Sequence, residues 1–296
     1  MPTVLSAARS PADLANVRDA SMPYGFGEIF TGEGFFARDL DPKRLRMIQS
    51  IDPALRALLA PGERVEFVTW GIEYSLFEHW VMGIWAWAIN RRAIVVTSDR
   101  LLLLQIDGRR RVRELKSEVR YPAIARFAKR TFGHLGLVLN DGRKLLLTGL
   151  PRRDRAGLRA RIEARMQATR TEPRVASRAH LCPHCGVRVR DFPVRCRQCG
   201  RGFKSGARAG WLSLAFPGLG DLYLGHRMLG VVEILGGLAA WGLIAATSVQ
   251  LYLEDPATNL AGIAVLVVVG FAFVHGMDAV VTRRIGFKGI YPDQRD

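Results

Sequence analysis

The chain reads as an α+β multidomain membrane protein, with a small antiparallel β-barrel and its C-terminal helix, a small cysteine ribbon, and an α-helical transmembrane hairpin. Three observations predict this. Strand-length apolar runs separated by turn signals recur through residues 61–150 and give way to an amphipathic helix. Four cysteines stand as two C-x2-C pairs within 18 residues. Two stretches near the C-terminus, of 20 and 22 residues, contain no Asp, Glu, Lys or Arg.

Composition narrows the class further. Of the 296 residues, 49% are apolar and 24% charged, which excludes a disordered chain. The net charge of +16 is uneven. Residues 1–60 are neutral, 61–150 carry +6, 151–210 carry +12, and 211–296 carry −2. That profile excludes a uniform soluble globule and a uniformly basic nucleic-acid binder. Only 6 of the 43 basic residues are Lys. Such an arginine bias also follows from a GC-rich genome, so the charge is discounted as a functional signal. The N-terminus has no long apolar run, and no secretory signal peptide is expected.

Residues 1–60 form a partly mobile helical lead. Gly, Pro and Ser are scattered through 1–35, and Asp41–Leu59 reads as one or two short amphipathic helices broken at Asp52-Pro53. The barrel occupies 61–170. Its expected strands are Val65–Trp70, Trp80–Ile89, Ala93–Thr97, Leu101–Ile106, Arg111–Leu115, Ile124–Ala128, Leu135–Leu139 and Lys144–Thr148. Pro61-Gly62, Ser98-Asp99, Asp107-Gly108 and Asn140-Asp141-Gly142 supply turns. A helix follows Pro151, with Leu158, Ile162 and Met166 on one face among arginines. Only 12 residues separate Glu78 from Arg91, too few to cross a bilayer, so Trp80, Trp85 and Trp87 are expected in the barrel core. An interfacial aromatic belt is the second reading of these tryptophans.

This region resembles the bacterial PH-like, GRAM-like family. The residues that carry the resemblance are Pro61-Gly62-Glu63, the stretch from Ile94 through Thr97 and Arg100 to Leu101, Tyr121-Pro-Ala-Ile124, Asp141-Gly142-Arg143-Lys144 and Thr148-Gly-Leu150. The resemblance implies a PH-like barrel capped by its helix, and lipid or protein contact through a basic rim. Arg91, Arg92, Arg109, Arg110, Arg111 and Arg113 are the candidate rim, with Arg152 and Arg153 on the helix. A basic group held near an anionic bilayer gains about 1 kcal/mol without any pocket, so surface contact is expected rather than a stereospecific headgroup site.

Residues 171–203 follow as a basic linker and ribbon. Cys182-Pro-His-Cys185-Gly and Cys196-Arg-Gln-Cys199-Gly are two copies of one knuckle. Four thiolates complete a tetrahedral structural zinc site and leave no position for a catalytic water, so one Zn2+ per chain is expected. His184 reads as an exposed turn residue. The module resembles the zinc ribbons of bacterial membrane proteins. Arg188 and Arg190, between the knuckles, are further candidates for contact with an anionic surface.

The last module, 204–290, holds expected spans at about 228–253 and 258–281. Glu254-Asp255-Pro256 joins them, while Arg201, Lys204, Arg208, Arg227, Arg283, Arg284 and Lys288 flank them. Basic flanks stay inside. The expectation is a multi-pass protein of the cytoplasmic (inner) membrane with both termini cytoplasmic. Residues 211–225 are apolar but broken by Pro217, Gly218 and Gly220, and are expected at the interface. Here Pro217, Gly218, Gly220, Tyr223, Gly225, Gly230 and Asp278 resemble the TM2-type membrane module, which implies two spans and no chemistry. Asp221-Leu222 depart from the Arg-Phe common there. Glu233, His275 and Asp278 lie within or beside the spans. They are expected as structural groups at the cytoplasmic interface, with an ion or partner site as the alternative.

No Walker loop, G-x-S-x-G or H-E-x-x-H is present in the sequence, and the six histidines are scattered, so no catalysis is expected. The functional expectation is a membrane-anchored, cytoplasm-facing adaptor or membrane-surface sensor. Its partners would be the anionic bilayer surface and a protein, with homo-oligomerisation left open. Two other readings stand beside it: a membrane-tethered nucleic-acid binder using the Arg-rich ribbon and helix, and a small transport or channel component.

Overall fold

The computed structural model describes Tyr24, residues 42–128 and residues 134–293. The expectations for 1–35, a mobile stretch without a signal peptide, lie outside the described residues apart from Tyr24. The chain divides into two compact units, 1–190 and 191–296.

The first unit is a mixed α+β fold. Helix α1 (Pro42–Arg56) precedes β1 (Val65–Glu73), α2 (Leu76–Met82), α3 (Ile84–Ile89), β2 (Arg91–Thr97), β3 (Arg100–Ile106) and β4 (Val112–Arg120). A 3-10 turn (Tyr121–Ala123) leads into β5 (Ile124–Phe127), β6 (Leu135–Leu139), β7 (Lys144–Thr148), α4 (Arg152–Ala168), β8 (Ala179–Leu181) and β9 (Arg188–Val189). The nine strands form one curled antiparallel half-barrel, in the order β5-β6-β7-β1-β2-β3-β4-β8-β9.

The two central strands explain the arrangement. In β2 and β3, nearly every residue is buried. Successive side chains on a strand point to opposite faces, so such runs need cover on both sides. Ala93, Val95, Leu102 and Leu104 face one core, completed by Met47, Ile48, Ile51 and Leu55 of α1. Ile94, Val96, Leu101 and Leu103 face the other, completed by Leu158 and Ile162 of α4. Thr69 Oγ1 donates to Asp154 Oδ2 at 2.5 Å, tying the first turn of α4 to β1.

Three expectations are corrected. The lead helix is continuous through Pro53, without the expected break, and it covers one face of the sheet. Residues 80–89 are not a strand. Ser75 caps α2 by accepting from the Glu78 amide, and Gly83, at φ 53°, separates α2 from α3. Two of the three tryptophans do not fill the core: Trp80 is 77% and Trp87 45% exposed, while Trp85 is half-buried. Finally, the first cysteine knuckle lies between β8 and β9, which continue the sheet beyond β4.

Four of the residues behind the family resemblance, Glu63, Thr97, Arg100 and Tyr121, form one buried polar cluster. Glu63 accepts from Thr97 Oγ1 at 2.6 Å, from the Ala60 amide at 2.9 Å, and from Arg100 Nε and Nη2 at 2.9 and 2.8 Å. Arg100 also donates to the Leu58 carbonyl and pairs with Glu118. Tyr121 Oη donates to the Thr97 carbonyl at 2.5 Å. These side chains lock the strand ends together.

The second unit is helical. It comprises α5 (Gly206–Ala215), α6 (Leu219–Leu224), α7 (Arg227–Glu254), α8 (Pro256–Phe271), a π-helical stretch (Ala272–Gly276) and α9 (Met277–Gly286). Arg227–Glu254 and Leu260–Gly286 are long and apolar enough to span a membrane. Leu235, Leu238, Leu243, Val265 and Val268 are exposed along them.

Candidate metal centre and surrounding surfaces

The cysteine stretch is built as a repeat. In the first knuckle, the Cys182 amide donates to the Val187 carbonyl at 2.8 Å, and the Gly186 amide donates to the Cys182 carbonyl at 3.0 Å. In the second, the Cys196 amide donates to Arg201 at 2.8 Å, and Gly200 to Cys196 at 2.9 Å. Gly186 and Gly200 sit at φ 72° and 73°, the left-handed turn that glycine adopts without a Cβ penalty. Cys182 and Cys196 are buried, and Cys185 and Cys199 exposed. Their sulfurs lie within 4.8 Å of one another. A tetrahedral metal with 2.3 Å sulfur bonds needs sulfurs about 3.8 Å apart, a spacing inside that limit. The cluster is therefore a donor set able to hold a metal ion. Lys116 Nζ donates to the Pro183 carbonyl at 2.9 Å, and burial lowers its pKa against the raising influence of Cys182. His184 is exposed.

The candidate surface arginines divide. Arg92 is fully buried, bound to Glu73 at 3.1 Å and to the Ile89 carbonyl at 3.1 Å. It is a core ion-pair residue and cannot meet an external surface. Arg188 pairs with the buried Glu118, and Arg113 lies 3.5 Å from Asp107. Arg110 stacks over Trp70 at 4.3 Å. Arg91 is half-buried, while Arg109, Arg111, Arg152, Arg153 and Arg190 are exposed.

Sequence reasoning placed the tryptophans of 80–87 in the core first and in an interfacial belt second, and did not single out Leu76 and Ile84. Leu76, Trp80, Ile84 and Trp87 are 73%, 77%, 79% and 45% exposed along α2 and α3. The Trp87 indole donates to His79 Nδ1 at 2.7 Å. The signal for this exposed stripe was Ser75-Leu-Phe-Glu78, a helix-start pattern, followed by apolar residues four apart.

In the second unit the glycine motif is a close-packing device. Gly218 sits at φ 83°, and a Cβ there would lie 2.2 Å from the Gly230 carbonyl oxygen. A Cβ on Gly220 would lie 2.2 Å from the Ala209 carbonyl oxygen, and one on Gly230 would lie 2.7 Å from Leu222. Pro217 packs on Gly237, and Gly225 ends α6 at φ 101°. Tyr223 Oη accepts from the Ser205 amide at 3.1 Å, with Lys204 and Arg208 over its ring. Asp278 Oδ2 accepts from the Gly218 amide at 2.9 Å.

His275 is satisfied on both sides. Its Nε2 accepts from the Trp241 indole at 2.8 Å, so Nδ1 is the nitrogen that donates to the Leu214 carbonyl at 2.9 Å. Glu233 and Asp278 are partly buried, and their carboxylates converge with that of the fully buried Asp221. No family model, curated protein or solved structure matches the chain.

Proposed function

We propose that this chain is a membrane-anchored, cytoplasm-facing protein whose sheet domain, a PH-like half-barrel capped by α4, engages the bilayer surface. The observation that carries the reading is the exposed stripe Leu76, Trp80, Ile84 and Trp87. Large apolar side chains exposed this densely along a short segment mark an interaction surface. Tryptophan concentrates at the membrane–water boundary, because its ring is apolar and its N–H needs a polar partner. The exposed Arg109, Arg111, Arg152 and Arg153 add attraction for anionic headgroups, each worth about 1 kcal/mol close to the surface. The two apolar helices supply the anchor as a hairpin in the inner membrane. The basic residues at its flanks favour cytoplasmic termini. Cys182, Cys185, Cys196 and Cys199 hold a structural Zn2+, because four thiolates leave no open coordination position.

The test is tryptophan quenching in full-length protein reconstituted into anionic vesicles with brominated acyl chains. Replacing Trp80 and Trp87 by Phe removes a large share of the quenchable emission if the stripe enters the bilayer. Unchanged quenching overturns the surface reading, and recovery of a protein crosslinked at these positions in cells then favours an adaptor. For the metal, elemental analysis should give one zinc per chain, lost when Cys182 and Cys196 are both changed to Ser. A folded ribbon without zinc ends that part of the proposal.

A further inference from the structure

Three carboxylates from three helices meet inside the second unit. Asp221 of α6, Glu233 of α7 and Asp278 of α9 each offer an oxygen, and these oxygens lie within 4.8 Å of one another. Asp221 is 0% exposed. Its Oδ2 accepts from Thr282 Oγ1 at 2.6 Å, and Thr282 in turn receives Ser213 Oγ at 3.2 Å. Its Oδ1 is buried without any hydrogen-bond partner, and so is Glu233 Oε2. Among the described residues, none of the three carboxylates is ion-paired to Lys, Arg or His.

Such an arrangement is costly by itself. A buried charge without a counter-charge is strongly disfavoured, and adjacent carboxylates repel. Yet the chain is shaped to create it. Gly218, Gly220 and Gly230 remove the side chains that would hold α5, α6 and α7 apart. Gly218 then aims its amide at Asp278, and Thr282 orients Asp221. Among the described residues, no N–H or hydroxyl donates to Asp221 Oδ1 or Glu233 Oε2.

We propose that Asp221, Glu233 and Asp278 bind a hard divalent cation within the helical module. The donors decide the class. Carboxylate oxygens, with the Ser213 and Thr282 hydroxyls beside them, suit Mg2+, Ca2+ or Mn2+. Neither thiolate nor imidazole belongs to the cluster, which separates it from the cysteine centre. The cation supplies the positive charge that the protein omits, and it clamps α6, α7 and α9 to one another.

Mn2+ is the probe, followed by electron paramagnetic resonance on the zinc-replete full-length chain in detergent. One Mn2+ per chain is expected, displaced by excess Mg2+ or Ca2+. Asp221→Asn and Glu233→Gln should each weaken binding at least tenfold, whereas Cys182→Ser should leave it unchanged. Mn2+ should raise the thermal midpoint of the wild type and not that of Asp221→Asn. Absence of saturable Mn2+ binding by the folded wild type overturns the proposal, whatever the variants do. So does binding that survives both carboxylate substitutions. Neutral variants more stable than the wild type in saturating Mn2+ also overturn it, and show that the carboxyls share protons instead.

Discussion

Each unit buries a set of carboxylates, and the two sets are treated in opposite ways. In the sheet unit, Glu63 and Glu118 are 4% and 1% exposed, and Arg100 lies between them. Its planar guanidinium meets both acids and a backbone carbonyl at once. In the helical unit, Asp221, Glu233 and Asp278 converge without any such cation, and two of their oxygens remain orphaned. The sheet cluster carries its counter-charge in the sequence and works as a structural bolt. The helical cluster has no internal counter-charge, and this is the mark of a site that takes one from outside.

The largest effect should come from breaking the bolt. Arg100→Met leaves Glu63 buried without its guanidinium and Glu118 with Arg188 alone, and removing one partner of a buried pair costs about 3–5 kcal/mol. Hydrogen exchange in β2 and β3 of the detergent-solubilised chain should accelerate accordingly. Unaltered protection of those strands would show that the acids take up protons at no cost, and the two clusters would then be alike.

The helical cluster depends on backbone proximity, and Gly220→Ala tests that. The added Cβ would meet the Ala209 carbonyl oxygen at 2.2 Å and Ser213 Oγ at 2.5 Å. Overpacking of this kind costs about 1–3 kcal/mol. The contact is with backbone on one side, so relief requires α5 and α6 to separate. Protease sensitivity around residues 209–225 should rise, with the sheet unit unaffected. Gly236→Ala, where nothing lies within 4 Å, is the matched control and should be silent.

The two clusters were also unequally legible in the sequence. Glu63, Thr97, Arg100 and Tyr121 stood out as recurring turn and strand motifs, because each sits at a strand end where local geometry constrains the residue. The Asn140-Asp141-Gly142 hairpin and the face of α4 were legible for the same local reason. Of the acid triad, Glu233 and Asp278 were read at one interface, with an ion site as the alternative, but Asp221 was not joined to them. The triad's members are 12 and 45 residues apart along the chain, and only packing of three helices brings them together. Long-range cover was legible only in outline: Asp41–Leu59 read as amphipathic helix able to pack on the barrel, without the face it covers. The unbroken apolar runs of β2 and β3 demand a helix on each face, but only α4 carried a clear apolar stripe. The α2–α3 stretch deceived because tryptophan and isoleucine favour strands, while the Ser75 cap and the Gly83 break argued for helix.

The finest distinction between the clusters lies in acid. Burial raises the Glu63 pKa, but hydrogen bonds from Arg100, Thr97 and the Ala60 amide outweigh it and hold the carboxyl below the ordinary value of 4.5. A folded pKa below the unfolded one adds stability at neutral pH, where both forms are ionised in the same way. That contribution is fully present above the unfolded value and disappears as pH falls through the folded value. The sheet should therefore lose protection progressively as pH falls below the ordinary value of 4.5, and Glu63→Gln should flatten that slope. An identical acid profile in Glu63→Gln would mean that Arg100 spends its charge on Glu118 alone. The bolt would then be a single ion pair, and the contrast with the helical cluster would rest on one acid rather than two.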